Sequence, residues 1–221
     1  MSFNKLANIF FHICKQTSIY ANLYVTNPLP FKTIEGRKNI LLSAPHVYAH
    51  RRPKLNMAYK LGEPLTDTIV EDISKNTESW GIVLTDESDF DPNYHKEKSN
   101  PYKQEVKNIV NEKKIKYFLD IHGLKDGQMY DIALYYPTQF RKSIALARDI
   151  QKGLDKGKLR GINIAVFRFP SKLGETLGEY CATKLRVPSV QIEVARYVRE
   201  SQKLRDEFVK NLSDVLDKQI I

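Results

Sequence analysis

Cysteine is scarce in this chain of 221 residues: Cys14 and Cys181 are the only two, and they lie far apart. Without a Cys-x-x-Cys pair, the sequence predicts neither a cysteine-ligated zinc site nor a disulfide framework, and it fits a reducing compartment. Long apolar runs are also lacking. The apolar run between Lys5 and Cys14 is interrupted by Asn8 and His12, no small-residue cleavage site follows it, and no segment reaches membrane-spanning length. We therefore expect a cytoplasmic protein with no membrane partner.

Internal repeats, low-complexity linkers and a recognisable nucleic-acid-binding signature are absent as well. With 42% hydrophobic and 10% aromatic residues, the composition is that of a globular protein. The length predicts one domain over 1–221, with 1–36 as an N-terminal helix and lead-in segment packed on it. A net charge of +9 favours phosphate-rich partners. The lysines are dispersed among acidic residues, however, so we keep nucleic-acid binding only as the alternative function.

Strand-like and helix-like patterns alternate along most of the chain. This alternation predicts an α/β fold, a mixed sheet with helices on both faces. Predicted strands cover 19–25, 39–43, 80–85, 117–123, 130–136, 162–169 and 189–194, and predicted helices cover 3–13, 66–75, 138–154, 175–185 and 202–219, with one more beginning near 101. Between 86 and 100 the chain is rich in Asp, Asn, Ser and Pro and predicts a long loop, a length that is often functional.

The stretch Asp120-Ile121-His122-Gly123 ends the strand predicted at 117–123. Alternate side chains of a strand share a face, so Asp120 and His122 point the same way. Histidine binds a metal through one ring nitrogen and usually donates its other N–H to a carboxylate or carbonyl, so the pair supplies a ligand and an orienting group. The other interpretation is a hydrogen-bonded loop histidine beside a capping aspartate.

Two further residues stand at the ends of predicted strands. His46 follows Pro45, which cannot donate to a central ladder and therefore ends its strand. Glu193 lies near the end of the strand at 189–194, where an unpaired buried carboxylate would be costly. It could form a structural ion pair with Arg196 or Arg199. Because ligands bind beyond the carboxyl ends of strands in α/β sheets, His46, His122 and Glu193 together suit a catalytic zinc site with three protein ligands.

Three phrases carry a resemblance to a known family. In chain order, they are Ser43-Ala44-Pro45-His46, Asp120-Ile121-His122-Gly123 and Val190-Gln191-Ile192-Glu193-Val194-Ala195-Arg196-Tyr197. They resemble the N-formylglutamate amidohydrolase family and its distant relatives, the zinc carboxypeptidases and poly-γ-glutamate hydrolases. The similarity runs from about Asn39 to Arg199. It implies a phosphorylase/hydrolase-like three-layer fold and a hydrolase with one Zn²⁺ per chain.

The resemblance also implies roles for individual residues. His46 and His122 correspond to metal ligands, Glu193 to the general base, and Arg196 to a group that binds a substrate carboxylate or polarises the scissile carbonyl. The His-x-x-Glu pattern of the carboxypeptidases is missing, because Ala49 stands at its last position. Glu63 resembles the acidic ligand of the poly-γ-glutamate hydrolases and is the predicted third ligand. The alternatives for that ligand are Asp67 and His50.

A last resemblance concerns substrate binding. Asp89-Phe90-Asp91-Pro92-Asn93 resembles the family's Asp-x-Asn-Arg stretch, with Tyr94 in place of the arginine. Asn93 is therefore a predicted substrate-binding residue, and Arg168, Arg51 or Arg52 could replace the missing arginine; of these we select Arg168. The implied reaction is hydrolysis of the amide of an N-acyl amino acid, or of a small peptide-like substrate, that carries a carboxylate. A carboxypeptidase-like activity is the alternative enzyme class.

Overall fold

The structure is a computed structural model, and it describes residues 29–52, 59–137, 140–169 and 175–219. The helix predicted at 3–13 and the strand predicted at 19–25 lie outside these ranges. No helix among the described residues is both long and apolar enough to cross a bilayer.

Seven strands form one mixed sheet. They are β1 (Phe31–Ile34), β2 (Lys38–Ala44), β3 (Ser79–Leu84), β4 (Tyr117–Gly123), β5 (Ile132–Tyr136), β6 (Ile164–Arg168) and β7 (Ser189–Val194), in the spatial order β1-β3-β2-β4-β7-β5-β6. The central strands β3, β2, β4 and β7 run parallel, whereas β1 and β5 are antiparallel to their neighbours β3 and β7. Strand β6 is parallel to β5. The sheet is therefore mixed, as predicted.

Helices cover both faces of this sheet. They are α1 (Thr66–Thr77), α2 (Pro101–Glu112), α3 (Arg141–Leu154), α4 (Leu177–Thr183), α5 (Arg196–Glu200) and α6 (Gln202–Gln219). On one face α6 contacts both α1 and α3. On the other, Lys103 of α2 lies over the ring of Tyr180 in α4, with Nζ 5.0 Å from the ring centroid. The connections from β2 to β3 and from β3 to β4 cross the sheet in opposite directions, so right-handed crossovers place α1 and α2 on opposite faces.

The central strands are apolar on both faces because helices cover both. In β2 three consecutive residues, Ile40, Leu41 and Leu42, are fully buried, which is typical of parallel strands between two helix layers. Helix α3 instead buries one stripe, with Leu146, Ile150 and Leu154 at helical spacing. These patterns explain why the strands and long helices were predictable from sequence.

Two short elements were not predicted. Strand β1 has four residues and pairs only with β3 at the edge of the sheet, and α5 has five residues. Neither is long enough to show a periodic pattern. The predicted boundaries of β4, β7 and α6 are those observed, and most of the other elements differ by one to three residues at an end.

The loop between β3 and α2 is held by the side chain of Asn100. Its Oδ1 accepts the backbone N–H of Lys103 at 3.0 Å and so caps α2. Its amide nitrogen lies 3.2 Å from the carbonyl oxygen of Asp91, 2.9 Å from that of Pro92 and 3.3 Å from that of His95. One buried side chain therefore connects the start of a helix to the turn that carries Asp91.

We expect Asn100→Ala to lower the free energy of unfolding by about 2–3 kcal/mol, because it removes a helix cap and leaves buried carbonyls without a donor. Asn100→Asp keeps the capping oxygen but places a buried carboxylate oxygen against three carbonyl oxygens, so its loss should be at least as large. Urea denaturation of both variants and the wild type measures this. A loss below about 0.5 kcal/mol for Asn100→Ala, within the range of ordinary surface substitutions, would contradict it.

Candidate metal centre

Three predicted site residues meet at the carboxyl ends of parallel strands. His122 in β4 is the direct register partner of Glu193 in β7. His46 lies two residues beyond the end of β2, and β2 pairs with β4 on the side of β4 opposite β7. The rings of His46 and His122 have centroids 4.8 Å apart. The sheet order thus brings together residues that are far apart in sequence.

Glu63 lies between the two histidines. Its Oε1 is 3.6 Å from Nδ1 of His46, and its Oε2 is 3.2 Å from Nδ1 of His122. Two backbone contacts fix it: its N–H donates to the carbonyl of His46 at 2.7 Å, and the N–H of Gly123 donates to its Oε2 at 3.0 Å. The structure therefore brings Glu63 together with His46 and His122.

A carboxylate holds the outer nitrogen of each histidine. Nε2 of His122 is 2.9 Å from Oδ2 of Asp120, and Nε2 of His46 is 2.9 Å from Oδ1 of Asp91. With Nε2–H donated to a carboxylate, each ring presents Nδ1 toward Glu63, which is the arrangement common among metal-ligating histidines. The geometry fits the predicted orienting role of Asp120. Asp91 was missed, although it stands in the stretch that resembled the family and differs from the predicted Asn93 by only two positions.

The donor set fits a metal ion. Nδ1 of His46 is buried and has no hydrogen-bond partner among the described residues, and His46, Glu63 and His122 offer ligand atoms within 4.8 Å of one another. Burial alone would lower the pKa of His122, but the Asp120 and Glu63 carboxylates hold that pKa well above its ordinary value. Likewise burial opposes ionisation of Glu63, but His122 and His46 hold its pKa well below its ordinary value. A bound cation could replace the proton that these groups share.

A second group of possible ligands consists of His46, His50 and Asp91. The rings of His46 and His50 stack with centroids 4.0 Å apart, and Nε2 of His50 lies 3.7 Å from Oδ2 of Asp91 without a hydrogen bond. Asp91 is already well supplied with donors. Besides His46, it accepts N–H groups from Arg52 at 3.0 Å, Asn93 at 2.8 Å and Tyr94 at 3.3 Å. Asp67, the other reserve ligand, lies in the first turn of α1 and belongs to neither group.

Glu193 is not held in an ion pair with either nearby arginine, so that interpretation of it is wrong. Its Oε1 accepts a hydrogen bond of 2.8 Å from Nε2 of Gln191. Arg196 is exposed instead, with Nε 3.8 Å from Asp126 and 4.0 Å from Glu200. Burial raises the pKa of Glu193, and the charge of His122 opposes that rise only in part. A buried carboxylate with a raised pKa beside possible metal ligands suits proton transfer.

The predicted substrate-binding residues and Arg196 are not brought to the histidines. Asn93 is buried, and its Oδ1 accepts the backbone N–H of Leu177 at 2.8 Å, so it connects the loop to α4. The prediction for Arg168 is corrected by the topology. Because β5 and β6 run opposite to β7, the carboxyl end of β6 lies at the end of the sheet away from the histidines. The sequence did not indicate that β5 runs antiparallel to β7.

The fold and site together define an α/β protein with a buried histidine–carboxylate cluster able to hold a metal ion at the strand ends. Comparison with known proteins adds structural relatives only. No family model matches the chain, and no curated protein matches it.

Solved structures do resemble it. The CwlD amidase from Clostridioides difficile, solved with the GerS lipoprotein, is 18% identical, with 82% of this chain and 97% of that chain covered and a TM-score of 0.54. A gene product from Agrobacterium tumefaciens is 11% identical, with 86% and 94% covered and a TM-score of 0.61. The succinylglutamate desuccinylase from Chromobacterium violaceum is 11% identical, with 85% and 67% covered and a TM-score of 0.55. At these identities the likeness confirms the predicted α/β fold.

We expect His50→Gln to resist mild acid better than the wild type. Burial, helped by the neighbouring His46, lowers the pKa of His50 to about 4. Below about pH 6.5 the unfolded chain therefore binds a proton at His50, whereas the folded protein does not bind it until about pH 4. This difference lowers the free energy of unfolding by up to about 1 kcal/mol per pH unit. His122 has a raised pKa, so its contribution is already complete below pH 6.5.

Urea denaturation with a chelator present, at pH 6.0 and pH 5.0, measures this difference. The wild type should lose more free energy of unfolding over that interval than His50→Gln. Equal losses in the two proteins would show that folding does not lower the pKa of His50.

Proposed function

We propose that this protein is a zinc-dependent amidohydrolase that cleaves the amide of an N-acyl amino acid, or of a small peptide-like substrate, bearing a carboxylate. One observation carries the proposal. His46, Glu63 and His122 converge, each histidine is oriented by its own aspartate, and Glu193 stands beside His122. Two histidines and a carboxylate with room for a further ligand are typical of catalytic zinc sites.

This group suits a metal better than the group of His46, His50 and Asp91. The Asp91 carboxylate already accepts N–H groups from both backbone and Arg52, and a cation there would lie close to that guanidinium. In the first group Glu63 also contacts a cation, with Nζ of Lys60 3.2 Å from its Oε1. The difference is that the orienting carboxylates of this group act on the far nitrogens, so both Nδ1 atoms face Glu63. We therefore assign the zinc to His46, Glu63 and His122, and Asp91 to the support of His46.

The bound zinc would polarise the substrate carbonyl and lower the pKa of a water molecule. Glu193 would accept a proton from the attacking water and deliver it to the leaving amine. Its burial raises its pKa, which brings the carboxylate closer to the range in which it can both take and give a proton. Gln191 restrains the Glu193 carboxylate through its hydrogen bond at 2.8 Å, so that the second oxygen remains free for the water.

Arg52 is the arginine best placed for the substrate carboxylate. Its Nε is held by Asp91 at 3.0 Å, and its guanidinium carbon lies 4.8 Å from the ring centroid of Tyr94, the residue that stands in place of the family's arginine. Both contacts orient the planar guanidinium while its side chain stays about a quarter exposed, at 26%. Arginine offers a planar pair of donors to a carboxylate.

Arg196 keeps a possible role at the rim. It lines a cleft of about 270 Å³ beyond the ends of β4 and β7, together with Gln128, Tyr130 and Tyr197. Its contacts with Asp126 and Glu200 are exposed and long, so a substrate carboxylate could replace them at little cost. The neighbouring structures described as an amidase and a succinylglutamate desuccinylase support the choice of an acyl-amino acid or peptide-like amide.

We expect the purified protein to bind one zinc ion per chain. His122→Ala and Glu63→Gln should abolish stoichiometric binding, because each removes a ligand. Asp120→Asn should weaken it roughly 10- to 100-fold, as expected for loss of an orienting group. His50→Gln is the matched control and should bind as the wild type does. Metal analysis after dialysis and competition with a chromogenic chelator provide the measurement.

Two results would contradict this assignment. A wild-type protein that holds no zinc after saturation would remove the metal from the mechanism. Loss of binding in His50→Gln with full binding in Glu63→Gln would instead move the metal to the group of His46, His50 and Asp91.

We expect Glu193→Gln to lower kcat about 10²- to 10⁴-fold, because the substitution removes the proton acceptor. Zinc binding should be unchanged, since Glu193 is not among the assigned ligands. A panel of N-acyl amino acids and short peptides identifies the substrate class and separates a deacylase from a carboxypeptidase. Full activity of Glu193→Gln on the best substrate would exclude Glu193 as the base.

A further inference from the structure

Arg199 is a buried cation next to the proposed metal centre, and neither the zinc nor the proton transfer uses it. It lies in α5, the short helix that follows β7, and only 3% of its surface is exposed. A buried guanidinium is costly unless its donors are satisfied. Its donors go to backbone carbonyls, and the identity of those carbonyls is informative.

Each carbonyl belongs to the residue that directly follows a proposed site residue. Nε of Arg199 donates to the carbonyl of Val194, which follows Glu193, at 3.1 Å. Nη1 donates to the carbonyl of Pro64, which follows Glu63, in a short hydrogen bond. One planar side chain therefore ties together the backbone that carries the base and the backbone that carries the carboxylate ligand.

The same guanidinium also touches the backbone beside His122. A Cβ atom added at Gly123 would lie 2.8 Å from Nη2 and 2.9 Å from Cζ of Arg199, and 3.0 Å from Cβ of Glu63. Gly123 is thus the residue that lets the guanidinium pack against the end of β4. This close approach gives a physical reason for glycine after the ligand histidine.

Other contacts hold Arg199 itself in place. Its backbone N–H donates to the carbonyl of Ala195 at 3.2 Å, and its own carbonyl accepts Nη1 of Arg205 at 2.5 Å. The backbone of Arg199 is thus held near the end of α5 by contacts that do not involve the Glu63 loop. A fixed group that contacts three separate segments can set their relative positions.

We propose that Arg199 is a positioning residue. By contacting Pro64, Gly123 and Val194, it fixes the relative positions of Glu63, His122 and Glu193. This inference rests on the proposed zinc site. Arginine suits the task because its planar fork reaches two carbonyls at once, whereas lysine carries one compact ammonium group. The charge is conserved in Arg199→Lys, so that variant tests the geometry of the fork.

The test compares Arg199→Lys and Arg199→Met with the wild type by chelator competition for zinc and, on the best substrate, by kcat and KM. Both variants should bind zinc roughly 10- to 100-fold more weakly, as for other residues that support metal ligands. At saturating zinc kcat should fall with little change in KM, because Glu193 loses its position. Leu212→Ala, which truncates a fully buried side chain 13 residues further along the chain in α6, is the control for lost stability and should leave zinc affinity unchanged.

Gly123→Ala approaches the same contact from the other side. Its methyl group would press on the guanidinium, so zinc affinity should fall in the wild-type background and fall less in Arg199→Met, where the guanidinium is gone. If Arg199→Met does not fold, Arg199→Lys decides the matter, because the methyl group of Gly123→Ala would also press directly on Cβ of Glu63.

The outcomes separate the two proposals. A wild-type protein without zinc overturns the proposed function and this inference with it. A wild type that binds zinc, with Arg199→Lys binding equally tightly and turning over at the same rate, overturns the positioning role alone. Weaker binding in Arg199→Lys, matched by the same weakening in Leu212→Ala, would reduce Arg199 to a residue of general stability and would also overturn it.

Discussion

The Glu63 carboxylate between two imidazoles is the contact on which the rest of the site depends. Taking a carboxylate out of water is expensive, and it is tolerated only when opposite charge or strong donors surround it. Here carboxylates and imidazoles alternate along one buried row, Asp91–His46–Glu63–His122–Asp120. Each group in the row contacts its neighbours, so the removal of any one member leaves another without a contact of opposite charge or a hydrogen-bond partner.

The sheet makes this row possible. Parallel strands β2, β4 and β7 end at the same edge, and their register places His122 opposite Glu193. The helices bury both faces of the sheet. The polar side chains at the carboxyl ends of these strands therefore find most of their partners among themselves. The loop that carries Asp91 reaches the row because Asn100 holds it, and the loop that carries Glu63 reaches it through the backbone of His46 and Gly123.

Much of this arrangement could be predicted from the sequence, and the failures have physical causes. His46 and His122 stand at the ends of strands whose centres are apolar, so the strand pattern predicted their positions, and the family resemblance was needed to predict their role. Glu63 required a family resemblance, because the local pattern also admitted Asp67 and His50. Asp91 was missed because an orienting carboxylate is recognised only through its contact with another loop.

Arginines were the hardest residues to place, since their long side chains make position in the sequence a poor guide to position in space. Arg168 was predicted to replace the family's missing arginine, and the antiparallel step at β5 directs the end of its strand away from the histidines. Arg199 was considered only as a salt-bridge partner of Glu193, and its real partners are three stretches of backbone.

The antiparallel step at β5 has a consequence for how this scaffold could change. Strand β5 starts where β7 ends. The connection 124–131 between β4 and β5 therefore stays at the end of the sheet where the histidine–carboxylate cluster lies, and it forms one wall of the cleft there. That segment is a surface loop with Met129 90% exposed, and it supplies none of the clustered histidines and carboxylates. Such loops accept insertions readily. Insertions in this loop could therefore reshape the wall of the cleft without altering the histidine–carboxylate cluster beneath it.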